Sequence, residues 1–106
     1  MPRRKTEQSG IDAIAERLRL TRRALGLKQA AISRLTGIST QAWNNYETAK
    51  YRISVDQALM VCRATGVSLD WIYRGDMHGL PLRIATEIQQ LISKPKAPKR
   101  RSSLQS

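Results

Sequence analysis

Two short helical patterns separated by a glycine constrain this chain more than any other feature. The segment LKQAAISRLT has apolar positions at helical spacing over about two turns. Gly37 then breaks the pattern, and Ser39 can accept a hydrogen bond from a free backbone N–H of a following helix. That helix is predicted over residues 40–47. Two helices joined by so tight a turn pack closely, which requires a small facing residue, and Ser33 is small.

Periodic apolar positions elsewhere predict four further helices. The first begins near Ile11 and ends at Gly26, and the fourth opens with Ser54 and Gln57 in capping-box spacing. A short fifth helix follows Ser68, and another helix follows Pro81. The residues expected to face the core in these four helices are Ile14, Leu18, Thr21, Leu25; Val55, Ala58, Leu59, Cys62; Leu69, Ile72, Tyr73; and Ile84, Ala85, Ile88, Leu91, Ile92.

The chain of 106 residues has room for one small domain with tails. It contains no phenylalanine and no convincing strand, so we expect an all-α fold. The predicted organisation is a flexible basic arm over 1–10, a helical domain over 11–76, a loop and amphipathic helix over 77–92, and a disordered basic tail over 93–106.

Charge is the strongest global signal, with 19 Lys and Arg against 8 Asp and Glu and a net charge of +11. Such a field attracts polyanions, of which nucleic acid is the commonest in cytoplasm. No apolar run approaches the ~18 residues that span a bilayer, so we expect a cytoplasmic protein without a membrane partner. Cys62 is the single cysteine, which excludes an internal disulfide.

The segment TQAWNNYE separates two kinds of side chain on the predicted third helix. Trp43 and Tyr46, with Ile32 and Ile38, fall where apolar side chains would clamp this helix onto the core. The outward residues are of the types that hydrogen-bond base edges: Thr40, Gln41, Asn44 and Asn45. The alternative is that the two aromatic residues stack on unpaired bases of a single strand.

From about Ile14 to Asp76, the chain resembles the lambda-repressor-like helix-turn-helix family, also called the XRE family, of bacterial and phage regulators. The resemblance lies in RLRLTRRALGLKQAAISRLTGIS, WNNYE and RISVDQALMVCRATGVSLDWIYRGD. It implies a compact domain of five helices, here with an additional C-terminal helix, that places its third helix in the DNA major groove.

Carried over by position, the resemblance implies base reading by Thr40, Gln41 and Asn45, with Asn44 beside them. It also implies phosphate contacts from four further residues. They are Gln29 on the second helix, Ser39 at the cap of the third helix, and Lys50 and Arg52 in the loop that follows. Arg22 and Glu47 match a pair that commonly bridges the first and third helices.

Four positions depart from the family pattern. Ser33 replaces a usual alanine, and Lys28 stands where a capping Ser or Thr is common. Ala49 replaces a frequent glycine and Ile53 a frequent proline, so the path of the loop between the third and fourth helices is open.

We therefore expect a sequence-specific DNA-binding transcriptional regulator, a repressor by promoter occlusion, acting as a homodimer on a roughly palindromic site. The candidate dimer surface is the stripe Ile84, Ile88, Leu91 and Ile92, unless that stripe folds back onto its own domain. The arm residues Arg3, Arg4 and Lys5 and the tail residues Lys99, Arg100 and Arg101 would add salt-dependent contacts to DNA.

Two other functions stay open: an antitoxin or accessory protein that grips a protein partner through its C-terminal segment, and an RNA- or single-strand-binding module. Catalysis is not expected, because the scattered carboxylates, one histidine and one cysteine form no acid, base and nucleophile set. We expect no metal and no cofactor, since His78 has no second ligand at metal-binding spacing.

Overall fold

A computed structural model describes residues 10–93, and within this range the chain forms six helices and no strand. The helices are α1 (Ile11–Ala24), α2 (Gln29–Thr36), α3 (Thr40–Glu47), α4 (Val55–Thr65), α5 (Leu69–Arg74) and α6 (Leu82–Ser93). The predicted all-α fold, with an additional C-terminal helix, is confirmed.

Serine side chains begin three of the helices, as their sequence positions predicted. The hydroxyl oxygens of Ser39, Ser54 and Ser68 accept hydrogen bonds from backbone N–H groups in the first turns of α3, α4 and α5. Gln57 supplies its backbone N–H to Ser54, but its side chain accepts from the Tyr46 hydroxyl instead of closing the capping box.

The core is built around α1, which packs against α3, α5 and α6. Its central residues Ile14 and Leu18 are fully buried, and Thr21 is buried one turn further on. On the other side of the domain, α2 packs on α3 and α4, and α4 packs on α5. This arrangement holds α3 against α1 and α2 against α4.

The buried face of α4 differs from the predicted one. Ala58 and Val61 are fully buried, whereas Val55 is 55% exposed and Leu59 36% exposed. Apolar residues occupy several sides of this helix, so its sequence does not single out one face. The packing of α2 and α5 selects the side that carries Val61.

The apolar stripe on α6 packs largely against the core of its own domain. Ile84 and Ile88 are buried in the same core as α1, so they are not available as a dimer surface. This is the fold-back alternative, and it corrects the dimer prediction for these two residues. Leu91 is partly buried against the core, and Ile92 is 59% exposed.

Trp71 and Arg17 belong to the core although the apolar pattern did not point to them. The Trp71 ring is buried, and its Nε1–H donates to Thr21 Oγ1 at 2.9 Å. The Arg17 guanidinium is buried too and donates to the Ile72 carbonyl at 3.1 Å, near the end of α5. Burial lowers the pKa of Arg17.

The arm and tail residues proposed to contact DNA lie outside the described residues: Arg3, Arg4, Lys5, Lys99, Arg100 and Arg101. Within residues 10–93, no helix has the length and apolar character that a membrane span requires.

Candidate nucleic-acid interface

The turn between α2 and α3 is closed by hydrogen bonds from small polar side chains. Gly37 adopts φ +85°, a left-handed conformation that suits glycine. The Ser33 hydroxyl donates to the Ile38 carbonyl at 2.5 Å. The Thr36 hydroxyl accepts from the Ile38 backbone N–H at 3.2 Å and donates to the Ile32 carbonyl at 2.8 Å. The angle between α2 and α3 is therefore fixed by bonds at both ends of the turn.

The two aromatic residues of α3 face the protein. Trp43 is fully buried, together with Ile32 and Ile38. Tyr46 is partly buried against the core, and its hydroxyl donates to Gln57 Oε1 at 2.5 Å. Trp43 thus has no ring face available for a nucleic-acid base unless the domain opens.

Glu47, the last residue of α3, is the centre of a buried polar cluster. Its carboxylate is 3% exposed and accepts from Arg22 Nε at 2.7 Å and Arg22 Nη2 at 3.1 Å. The Trp43 indole donates to the same carboxylate at 2.5 Å, and the Gln29 amide donates at 3.1 Å. Because a buried carboxylate is costly without such partners, the cluster fixes α3 against both α1 and α2.

The opposite face of α3 is polar and open to solvent. Thr40, Gln41 and Asn44 are exposed, and Asn45 is half-buried. Ser39 is exposed as well, with its hydroxyl oxygen bonded to the Ala42 backbone N–H at 3.1 Å. A rigid helix with buried Trp43 on one side and exposed amides on the other presents hydrogen-bonding groups to an external ligand.

A family model described as a helix-turn-helix domain matches residues 13–72, which is more than half of the chain. The chain belongs to the helix-turn-helix domain family. The match begins at the third residue of α1, contains α2 to α4 entirely, and ends within α5. Comparison with curated proteins gave no significant match, and comparison with solved structures gave none either. The family is one of DNA-binding domains, so the α2–α3 pair is the candidate DNA-binding unit.

Gln29 connects the two helices of this helix-turn-helix unit. Its side-chain amide nitrogen donates to Asn44 Oδ1 at 3.3 Å and to Glu47 Oε1 at 3.1 Å. Both N–H groups of that amide are therefore used inside the domain. The bond to Asn44 turns the Asn44 amide nitrogen, which is a donor, away from Gln29. The predicted phosphate contact of Gln29 would have to come from its backbone N–H in the first turn of α2.

The N-terminus of α2 has no side-chain cap, because Lys28 occupies the cap position and makes no such hydrogen bond. A lysine has no side-chain oxygen that could accept from the first backbone N–H groups of α2, unlike the Ser or Thr common at this position. These N–H groups therefore have no side-chain cap and lie beside a lysine in the chain.

The loop that follows α3 takes a defined path despite its two departures from the family pattern. Ala49 adopts φ +63°, the conformation for which glycine is favoured. Ile53 is buried, and its carbonyl accepts from the Tyr73 hydroxyl at 2.7 Å. Lys50 and Arg52, between them, are both exposed. The loop is therefore held at both ends, with its two cations on the surface.

The electrostatics of this region are one-sided. From Lys28 to Arg52 the sequence contains four cationic residues and a single acidic residue, Glu47. Glu47 is buried and paired with Arg22, so it contributes little negative potential to the surface. The exposed cations of the segment are Lys28, Arg34, Lys50 and Arg52. Exposed cations on the same helix-turn-helix segment as exposed amides suit a polyanion that carries hydrogen-bonding bases.

Arg19 contributes to the site and was missed in the sequence. Its guanidinium donates to the Glu47 carbonyl at 2.6 Å, so α1 holds the end of α3 through the backbone as well. Its position three residues before Arg22 on the same helix was the available signal.

Cys62 on α4 and His78 in the loop after α5 are not part of the exposed face of α3. Cys62 is partly buried, and burial raises the pKa of its thiol, which lowers the fraction present as reactive thiolate. His78 sits beside Asp76, whose carboxylate accepts from the His78 backbone N–H at 2.9 Å, and this contact lowers the pKa of Asp76.

Proposed function

We propose that this protein is a sequence-specific, double-stranded DNA-binding transcriptional regulator. It reads the major groove with α3, in the manner of a lambda-repressor-like domain, and represses by occupying promoter DNA. One observation carries the proposal: α3 is locked to the core through Trp43 and Glu47 while Thr40, Gln41 and Asn44 remain exposed.

The chemistry of the exposed face supports duplex reading. Asn and Gln amides can make paired hydrogen bonds to adenine in the major groove, and the Thr methyl can contact thymine. Each good paired contact contributes about 1–3 kcal/mol of discrimination. Contacts from Ser39, Lys50 and Arg52 to the DNA phosphates would set the register of α3 on the duplex.

A single α3 reads only a few base pairs, so we propose a homodimer on a roughly palindromic operator. The basic arm and tail would add sequence-independent affinity through phosphate contacts.

Burial of Trp43 disfavours the single-strand alternative, because base stacking needs an accessible ring face. The polar groups left exposed on α3 suit base edges in a duplex instead.

Selection of binding sites from random duplexes tests the proposal. We expect one enriched motif with two related half-sites. Gln41→Ala and Asn45→Ala should each bind the selected duplex at least about tenfold more weakly, while affinity for an unrelated duplex stays nearly unchanged.

Gln90→Ala is the matched control, since Gln90 is an exposed glutamine on α6. It should bind like the unmodified protein. If Gln41→Ala and Asn45→Ala also keep full preference for the selected site, α3 is not the reading helix. If a single strand is bound more tightly than any duplex, the protein is a single-strand binder.

A further inference from the structure

The exposed side of α4 carries apolar and charged residues that no other part of the described fold covers. Val55 and Leu59 are 55% and 36% exposed, and they lie one helical turn apart. Asp56 and Arg63 are both exposed on the same helix. Within residues 10–93, neither of them forms an ion pair.

The spacing of these residues is self-complementary. Asp56 and Arg63 are seven residues apart, so they lie on one side of the helix, about 10 Å from each other along its axis. Leu59 lies close to the midpoint between them. When two identical helices pack antiparallel about a two-fold axis at Leu59, each Asp56 faces the partner's Arg63.

We propose that this face, formed by Val55, Asp56, Leu59 and Arg63, packs against the same face of a second copy of the chain. Apolar contact between the Leu59 side chains lies at the axis, and two Asp56–Arg63 pairs flank it. The opposite charges set the antiparallel orientation, because a parallel pairing would place like charges together.

The alternative surface on α6 is less suitable. Ile84 and Ile88 are buried, which leaves Leu82 and Ile92 as its strongly exposed apolar side chains, at 81% and 59%. These two residues lie ten positions apart, or about 15 Å along the helix axis, so they do not contact each other. In contrast, Val55 and Leu59 on α4 lie one helical turn apart.

The α4 face also adjoins the candidate DNA interface along the chain. Val55 follows directly after the loop that carries Lys50 and Arg52. A second copy packed on α4 would therefore lie beside the loop that we propose to contact phosphate. A second copy is needed because the proposed operator has two half-sites on one duplex. The proposal for the α4 face therefore rests on the proposed function.

A charge-swap series tests the face in solution without DNA. Sedimentation equilibrium of the full chain should show a monomer–dimer equilibrium. Asp56→Arg and Arg63→Asp should each raise the dimer dissociation constant at least about tenfold, because each places like charges opposite each other. The double variant D56R/R63D should recover dimerisation, and so should an equimolar mixture of the two single variants, as a heterodimer.

Leu59→Lys should also abolish the dimer, with circular dichroism showing that the helices are retained. Leu82→Lys is the matched control and should leave the dimer unchanged, since Leu82 is exposed on another helix. The proposal is overturned if the single swaps leave the sedimentation unchanged, or if neither the double variant nor the mixture recovers the dimer.

Binding to the selected duplex separates this outcome from failure of the proposed function. Specific duplex binding with no effect of the charge swaps on either sedimentation or half-site cooperativity would overturn the α4 face alone. Reciprocal charge-swap rescue without any duplex preference would support the α4 face and overturn the proposed function.

Discussion

The Glu47 carboxylate and the Arg22 guanidinium make two parallel hydrogen bonds, at 2.7 Å and 3.1 Å, between the end of α3 and the end of α1. Paired bonds of this kind fix orientation as well as distance. Because Glu47 is 3% exposed and Arg22 only 18% exposed, the pair is shielded from water. It therefore sets the position from which the outer face of α3 is presented.

Removing one partner of this pair should destabilise the fold. Glu47→Gln leaves the Arg22 charge without its carboxylate, and we expect the free energy of unfolding to fall by about 2–4 kcal/mol. Urea denaturation followed by circular dichroism measures the change.

Asp70→Asn provides the control, because Asp70 and Arg74 form an exposed pair with side chains 59% and 69% exposed. That substitution should cost less than about 0.5 kcal/mol. Equal losses for the two variants would show that the Arg22–Glu47 pair does not anchor α3.

Backbone strain at Ala49 gives a second prediction. Ala49 holds φ +63°, which costs a residue with a Cβ roughly 1 kcal/mol relative to glycine. Ala49→Gly should therefore raise the free energy of unfolding by about 0.5–1 kcal/mol, as measured by urea denaturation.

The reverse change at Gly26 tests the same cause. Gly26 holds φ +72°, and a Cβ placed there would meet no atom within 4 Å. Gly26→Ala should lower the free energy of unfolding by about 1 kcal/mol from backbone conformation alone. If Ala49→Gly destabilises the protein, the loop after α3 does not adopt the left-handed conformation.

Local signals in the sequence were sufficient for the helices and the turn, and not for every buried face. Ser39, Gly37 and the spacing of Trp43 fixed the bounds of α3, because caps and positive φ are properties of a few neighbouring residues. The apolar pattern of α4 predicts Val55 and Leu59 in the core, and this prediction is wrong because both are exposed. Several sides of α4 are apolar, and only its neighbours in space select one.

The buried polar contacts were also not predictable from local sequence. Trp71 and Arg17 are buried through bonds to Thr21 and to the Ile72 carbonyl, partners that lie 50 and 55 residues away in the chain. No local periodicity indicates such pairings. The link from Gln29 to Asn44 likewise requires that α2 and α3 already be packed together.

Burial of both tryptophans gives a spectroscopic prediction. Trp43 is fully buried and Trp71 is 3% exposed, so acrylamide should quench the fluorescence of the folded protein weakly and that of the urea-unfolded chain strongly. Adding single-stranded DNA should change the emission little, because neither ring is accessible for stacking.

Trp71→Phe isolates the signal of Trp43 and serves as the control for assignment. Because this variant loses the hydrogen bond to Thr21, its free energy of unfolding should fall by about 1–2 kcal/mol, and we expect it to stay folded for the measurement. Strong quenching of the remaining tryptophan by single strands, but not by duplex, would contradict the buried position of Trp43 in the complex.

Salt dependence of duplex binding distinguishes phosphate contacts from base contacts. Each phosphate neutralised by a lysine or arginine contributes about −0.9 to the slope of log affinity against log salt concentration. Lys50 is exposed in the loop after α3, so Lys50→Gln should make this slope shallower by about 0.9 and weaken binding to all duplexes alike. Arg83→Gln is the control, because Arg83 is exposed on α6, which packs on α1. It should leave the slope unchanged.

Deletion of residues 94–106 should flatten the slope further if the basic tail contacts phosphate. A Lys50→Gln variant with the original slope but altered sequence preference would place Lys50 against a base edge, and the loop would then be a reading element.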